Sequence, residues 1–160
     1  MKRVLIALAA TAFIIGLGIP AAVPASASSF PTWCGSWDPN PAFDTMRSEQ
    51  VLAQGAGPDG SAWYIYYGQR ISNNVYYIWA YLDHAKPGDQ ITFLWAYTNT
   101  SSWYQCGNAQ GDRTATVASG NSVTWTSGVP ASSVINPFYT CQLWAVNNTS
   151  SYCYIPPGWP

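Results

Sequence analysis

The chain has 160 residues, of which 8% are charged and 16% aromatic, and its formal net charge is −1. So little positive charge excludes a nucleic-acid binder, which needs a basic stripe to displace phosphate counterions. So high an aromatic content excludes a disordered chain.

Residues 1–27 read as a bacterial-style secretory signal: basic Lys2 and Arg3, an apolar run from Val4 to Ile19, the breaker Pro20, and small residues at Ala25-Ser26-Ala27. The apolar run is shorter than the roughly 18 to 20 residues that cross a bilayer core, so it is read as cleaved rather than as an anchor. The expected location is secreted and extracellular, and the membrane is not an expected partner once the signal is removed. Residues 28–160 would then carry four basic side chains, Arg47, Arg70, Lys86 and Arg113, against seven acidic ones.

Residues 28–60 read as an irregular N-terminal segment. Pro31, Pro39, Pro41 and Gly35 oppose regular structure there. One short helix is possible, with Asn40 as N-cap, Pro41 at its first position and Gly55 beyond its end. Its stripe of Phe43, Met46 and Leu52 is thin, and Val51 to Gln54 equally suits a strand.

Residues 61–160 read as a β-sandwich domain. Ala62 to Arg70, Val75 to Leu82, Gln90 to Tyr97, Arg113 to Ala118, Ser122 to Thr126 and Tyr139 to Val146 are short runs rich in aromatic and β-branched residues. Ile71-Ser72-Asn73-Asn74 suits a tight hairpin, Lys86-Pro87-Gly88-Asp89 a type II turn, and Ser119-Gly120-Asn121 a further hairpin tip. In Gln90 to Tyr97, alternation sends Ile91, Phe93, Trp95 and Tyr97 toward the core. In Val75 to Leu82 both faces are apolar, which predicts a central strand covered on both sides. The fold class expected is all-β, an antiparallel sandwich or a small barrel. The strand and turn pattern fits immunoglobulin-like sandwiches in general, without the Cys-Trp-Cys spacing of true members.

Leu94 to Trp103 matches Leu143 to Tyr152 at an offset of 49 residues, with seven of ten positions identical. The two stretches are either equivalent hairpins in two halves of a sandwich or one local solution to the same turn problem.

Four cysteines in an exported chain predict two disulfides. Three pairings are possible. A three-residue turn at Val146 to Asn148 would set Cys141 opposite Cys153, which leaves Cys34 for Cys106. By chain entropy the short loop contributes about 3 kcal/mol and the long one about 4 to 5. Without a C-x-x-C pair, and with His84 as the only histidine, no metal site is expected. The sequons at Asn99, Asn147 and Asn148 read as turn residues.

No cofactor and no catalytic constellation is recognisable. The carboxylates Asp38, Asp44, Glu49, Asp59, Asp83, Asp89 and Asp112 fall mostly beside turn residues, where solvated acids belong. Asp83-His84 is read as a surface pair at a strand end, since a triad would need a nucleophile and no G-x-S-x-G elbow is present. The aromatic load points instead to a binding module. Each buried Tyr or Trp must satisfy its O–H or N–H, so some of nine Trp and eleven Tyr should face solvent, where flat rings stack on sugars. The expected ligand-binding residues are Trp103, Tyr104, Tyr152 and Tyr154, with Asn99 and Asn148 as polar companions, and the expected ligand is a polysaccharide or cell-wall glycan. The alternative is a secreted inhibitor or toxin-like effector that presents a loop at Gly128 to Phe138 to another extracellular protein.

Overall fold

The computed structural model describes Thr32, Cys34 and residues 46–97, 102–109, 111–147 and 149–153. Among the described residues ten strands follow in order: β1 (Met46–Ala56), β2 (Ala62–Arg70), β3 (Tyr76–Asp83), β4 (Gln90–Tyr97), β5 (Trp103–Cys106), β6 (Ala115–Thr116), β7 (Thr124–Trp125), β8 (Val129–Pro130), β9 (Val134–Trp144) and β10 (Ser150–Tyr152). They form two antiparallel sheets. Sheet 1 runs β1-β2-β3, with β7 and β8 end to end along the free edge of β3. Sheet 2 runs β10-β9-β4-β5, with β6 continuing the edge of β4 that β5 leaves open.

The two sheets close on one core, as alternation demands of a sandwich. Trp63, Ile65, Ile78, Ala80 and Leu82 come from sheet 1, and Ile91, Phe93, Trp95, Tyr139, Cys141 and Leu143 from sheet 2. Trp63 lies across β1 opposite Gly55, where a Cβ would come within 2.6 Å of the indole, so only glycine fits that position. Both disulfides join the expected partners, Cys34 with Cys106 and Cys141 with Cys153, each with Cα atoms 5.0 Å apart. Cys34–Cys106 ties the chain beside Thr32, which bridges to Gln105 in parallel, onto the edge strand β5. Cys141–Cys153 clasps the β9–β10 hairpin, whose register runs from Ala145–Thr149 out to the cysteine pair.

The turns account for the connections. Lys86 to Asp89 forms the expected turn, with Gly88 at φ +94° and the Asp89 N–H donating to the Lys86 carbonyl at 2.9 Å, and it carries the chain from sheet 1 to sheet 2. Between β7 and β8 the Thr126 hydroxyl takes the place of a backbone acceptor for the Ala80 N–H, at 3.1 Å.

Two open readings are settled and four expectations change. Met46–Ala56 is a strand, and no α-helix forms among the described residues. Its apolar stripe is too thin to bury a helix, and bulges near Ser48 and Leu52 fit the segment to β2 as the edge of sheet 1. The sandwich therefore begins at Met46, within the segment expected to be irregular. Ser119 to Asn121 is not a hairpin tip: β6 belongs to sheet 2 and β7 to sheet 1, so this turn crosses between layers. Gly128 to Phe138 is no open loop, because β8 pairs with β3, a 3-10 turn follows at Ala131–Ser133, and β9 begins at Val134. Asp89, expected to be solvated, is 3% exposed. Its carboxylate accepts the Lys86 N–H at 2.7 Å and the Val146 N–H at 2.9 Å, pinning the inter-sheet turn to the β9–β10 hairpin. Finally, the matching stretches do not form equivalent halves. Both lie in sheet 2, where Trp95 and Leu143 face the core while Leu94 and Trp144 face outward. Matched residues thus face opposite sides of the sheet, so the likeness is local.

Candidate functional site

Among the described residues, no further layer covers the side of β3 away from the core. That side is faced by its own rings. Tyr64 and Tyr66 of β2, Tyr77, Trp79 and Tyr81 of β3, and Trp125 of β7 all project from sheet 1 on the side opposite Ile65 and Ile78. Register sets the pattern. Tyr64 lies opposite Tyr81, which lies opposite Trp125, and Tyr66 lies opposite Trp79. Cross-strand neighbours of this kind interact directly.

The rings form one continuous layer. Tyr66 stacks on Trp79 at 5.5 Å between centroids, Tyr81 stacks on Trp125 at 6.1 Å, and Tyr66 meets Tyr81 edge-on at 5.8 Å. Tyr64 closes the row at 5.8 Å from Tyr66 and 6.2 Å from Tyr81. Trp79 is the base of the layer, 2% exposed, and Gly68 makes room for it, since a Cβ there would sit 3.1 Å from the indole. Tyr64, Tyr66, Tyr81 and Trp125 remain half-buried, with part of each side chain in water.

Two carboxylates flank the row. Burial pushes the Tyr66 hydroxyl above the usual phenol range, and the charges of Glu49 and Asp83 add to the effect. Tyr81 is raised by burial first and by Asp83 next. Burial also raises the Glu49 carboxyl. The phenols are thus held neutral, as donors and acceptors, between carboxylate acceptors. Asp83 also accepts the His84 backbone N–H at 2.7 Å and lies 3.2 Å from His84 Nδ1, with the imidazole largely in solvent. Among the described residues, no three Cys, His, Asp or Glu side chains gather to hold a metal ion.

The residues expected to bind ligand are placed differently from one another. Tyr104 points inward and stacks on Trp95 at 5.1 Å against the core. Trp103, half-buried, and Tyr152, 65% exposed, both lie on the outer face of sheet 2. They stand on its opposite edge strands, whose axes lie three strand spacings or about 14 Å apart, and at levels four residues apart along β4. Asn99, Asn148 and Tyr154 lie outside the described residues. The continuous row of Tyr64, Tyr66, Tyr81 and Trp125 was not among the expected sites. Its signal lies in alternate aromatics on both arms of one hairpin, of which Val75 to Leu82 reads as a strand covered on both sides.

Searches of protein-family models, curated proteins and solved structures find no match for this chain.

Proposed function

We propose that this is a secreted, non-catalytic binding module for an uncharged polysaccharide or cell-wall glycan, with the outer aromatic layer of sheet 1 as its contact surface. The observation that carries the reading is the continuity of Tyr64, Tyr66, Tyr81 and Trp125, all partly exposed, across three strands on one sheet face that no described element covers. Ring surface pairs with the C–H faces of sugars, while the neutral phenols with Glu49 and Asp83 supply hydrogen bonds to hydroxyls. The low charge of the chain favours a neutral ligand. The signal-like N-terminus and the two disulfides support an extracellular site of action.

The test is retention of the purified protein on insoluble chitin, cellulose and peptidoglycan. Retention on at least one is expected, and Tyr81→Ala should weaken it about tenfold, the effect of a contact residue worth roughly 1.4 kcal/mol. Absence of retention on all three would remove the reading.

A further inference from the structure

Pairing register sorts the outer side chains of sheet 1 into ladders that run across the strands. In one, Gln54 of β1 lies opposite Tyr64 of β2, Tyr64 opposite Tyr81 of β3, and Tyr81 opposite Trp125 of β7. In the next, Val51 lies opposite Tyr66 and Tyr66 opposite Trp79. The two differ in what reaches the surface. The second sinks at Trp79, 2% exposed, and the path along β3 beyond it sinks at Tyr77, 7% exposed. The first stays at the surface on all four strands, half-buried at Tyr64, Tyr81 and Trp125 and exposed at Gln54.

This geometry sets a direction and a length. Ring centroids step by 6.2 Å from Tyr64 to Tyr81 and by 6.1 Å from Tyr81 to Trp125, comparable with one sugar unit of an extended chain. Gln54 and Trp125 stand three strand spacings apart, about 14 Å, the room that about three such units fill. Trp125 closes one end with a ring. Gln54 closes the other with an amide, which both donates and accepts and so suits a sugar hydroxyl or acetamido group. Resting on the glycan reading of this face, we propose that the ligand is a single extended β-linked chain of the cellulose or chitin type. It lies across the strands from Trp125 to Gln54 over about three units, and the Gln54 amide is the specificity-determining contact to the outermost one. Chains of the starch type coil, so their consecutive units leave a row that runs in one direction.

The experiment titrates the whole chain with cello-, chito- and malto-oligosaccharides of two to six units, following amide and indole signals by NMR so that weak binding is measured as well as strong. For the cello or chito series, affinity is expected to rise about fivefold from two units to three and to change by less than about twofold from four units to six. Gln54→Ala should weaken the three-unit ligand about threefold while leaving the two-unit ligand within about twofold of the parent, a length dependence that a loss of folding would not produce. The malto series should bind about tenfold more weakly or less well still. Affinity that climbs on to six units, or a Gln54→Ala loss that is absent or equal at every length, overturns the ladder and leaves a glycan-binding face in place. Equal binding of the malto series overturns the extended-chain preference, and retention on insoluble glycan without binding of any oligosaccharide overturns the single-chain site. Binding of no oligosaccharide together with no retention on chitin, cellulose or peptidoglycan overturns the glycan reading itself, and this inference with it.

Discussion

The outer faces of the two sheets are built from similar alternating strands but are finished differently. On sheet 2, Thr92, Leu94, Ala96 and Gln105 face away from the core and are all at most 3% exposed. Thr92 donates its hydroxyl to the Arg113 carbonyl at 2.7 Å, so the chain following β5 is tied down over that face. On sheet 1 the corresponding face keeps Tyr64, Tyr66, Tyr81 and Trp125 in partial contact with water, above a single buried Trp79. A closed face needs small or aliphatic side chains that another segment can cover. An open face made of large rings covers itself by mutual stacking and still leaves ring surface and hydroxyls outside. The first arrangement buries its side chains, whereas the second leaves ring edges and hydroxyls in contact with water.

Substitutions separate the two faces by size of effect. The largest is expected at the base of the open face: Trp79→Ala should cost about 3–5 kcal/mol, read from urea unfolding, because it empties the space over Gly68. Leu94→Ala on the closed face should cost about 2–4 kcal/mol by the same measurement while leaving glycan retention of the folded fraction unchanged. A smaller effect is expected from pH. In the fold Tyr66, Tyr81 and Tyr139 hold their protons more tightly than in the unfolded chain. Stability from these groups is therefore complete below the unfolded phenol value near pH 10 and is lost as pH rises through the folded values. A melting temperature that falls above about pH 10, in step with tyrosinate absorbance, checks this. The smallest effect belongs to Tyr152→Ala, on the exposed edge of sheet 2, where the change in stability should stay within about 0.5 kcal/mol.

Much of the fold was legible because its signals are local. The ends of β2 and β4 coincide with the runs Ala62 to Arg70 and Gln90 to Tyr97, and Pro87-Gly88 dictates the turn between the sheets. The Cys141–Cys153 pairing follows from the length of one turn. Other features depend on what lies across from a residue, and sequence does not print that. Met46–Ala56 has weak helical and weak strand character, and pairing with β2 decides the matter. Asp89 resembles any turn acid until the β9–β10 hairpin brings the Val146 N–H to its carboxylate. Double apolarity in β3 has two outcomes, a second covering layer or a ring layer that covers itself. Only the register of Tyr64 and Tyr66 against Tyr81 and Trp79 distinguishes them. For this reason Trp103, Tyr104 and Tyr152, which follow the repeated turn in sequence, lie on sheet 2, and the continuous row lies on sheet 1.

Two double variants in one retention assay test the open face most directly. The account predicts that Tyr66→Ala with Trp125→Ala abolishes binding to the retained glycan, and that Trp103→Ala with Tyr152→Ala leaves it within about twofold of the parent, both proteins being folded by circular dichroism. Binding that survives the first pair and disappears with the second would contradict it and move the site to sheet 2.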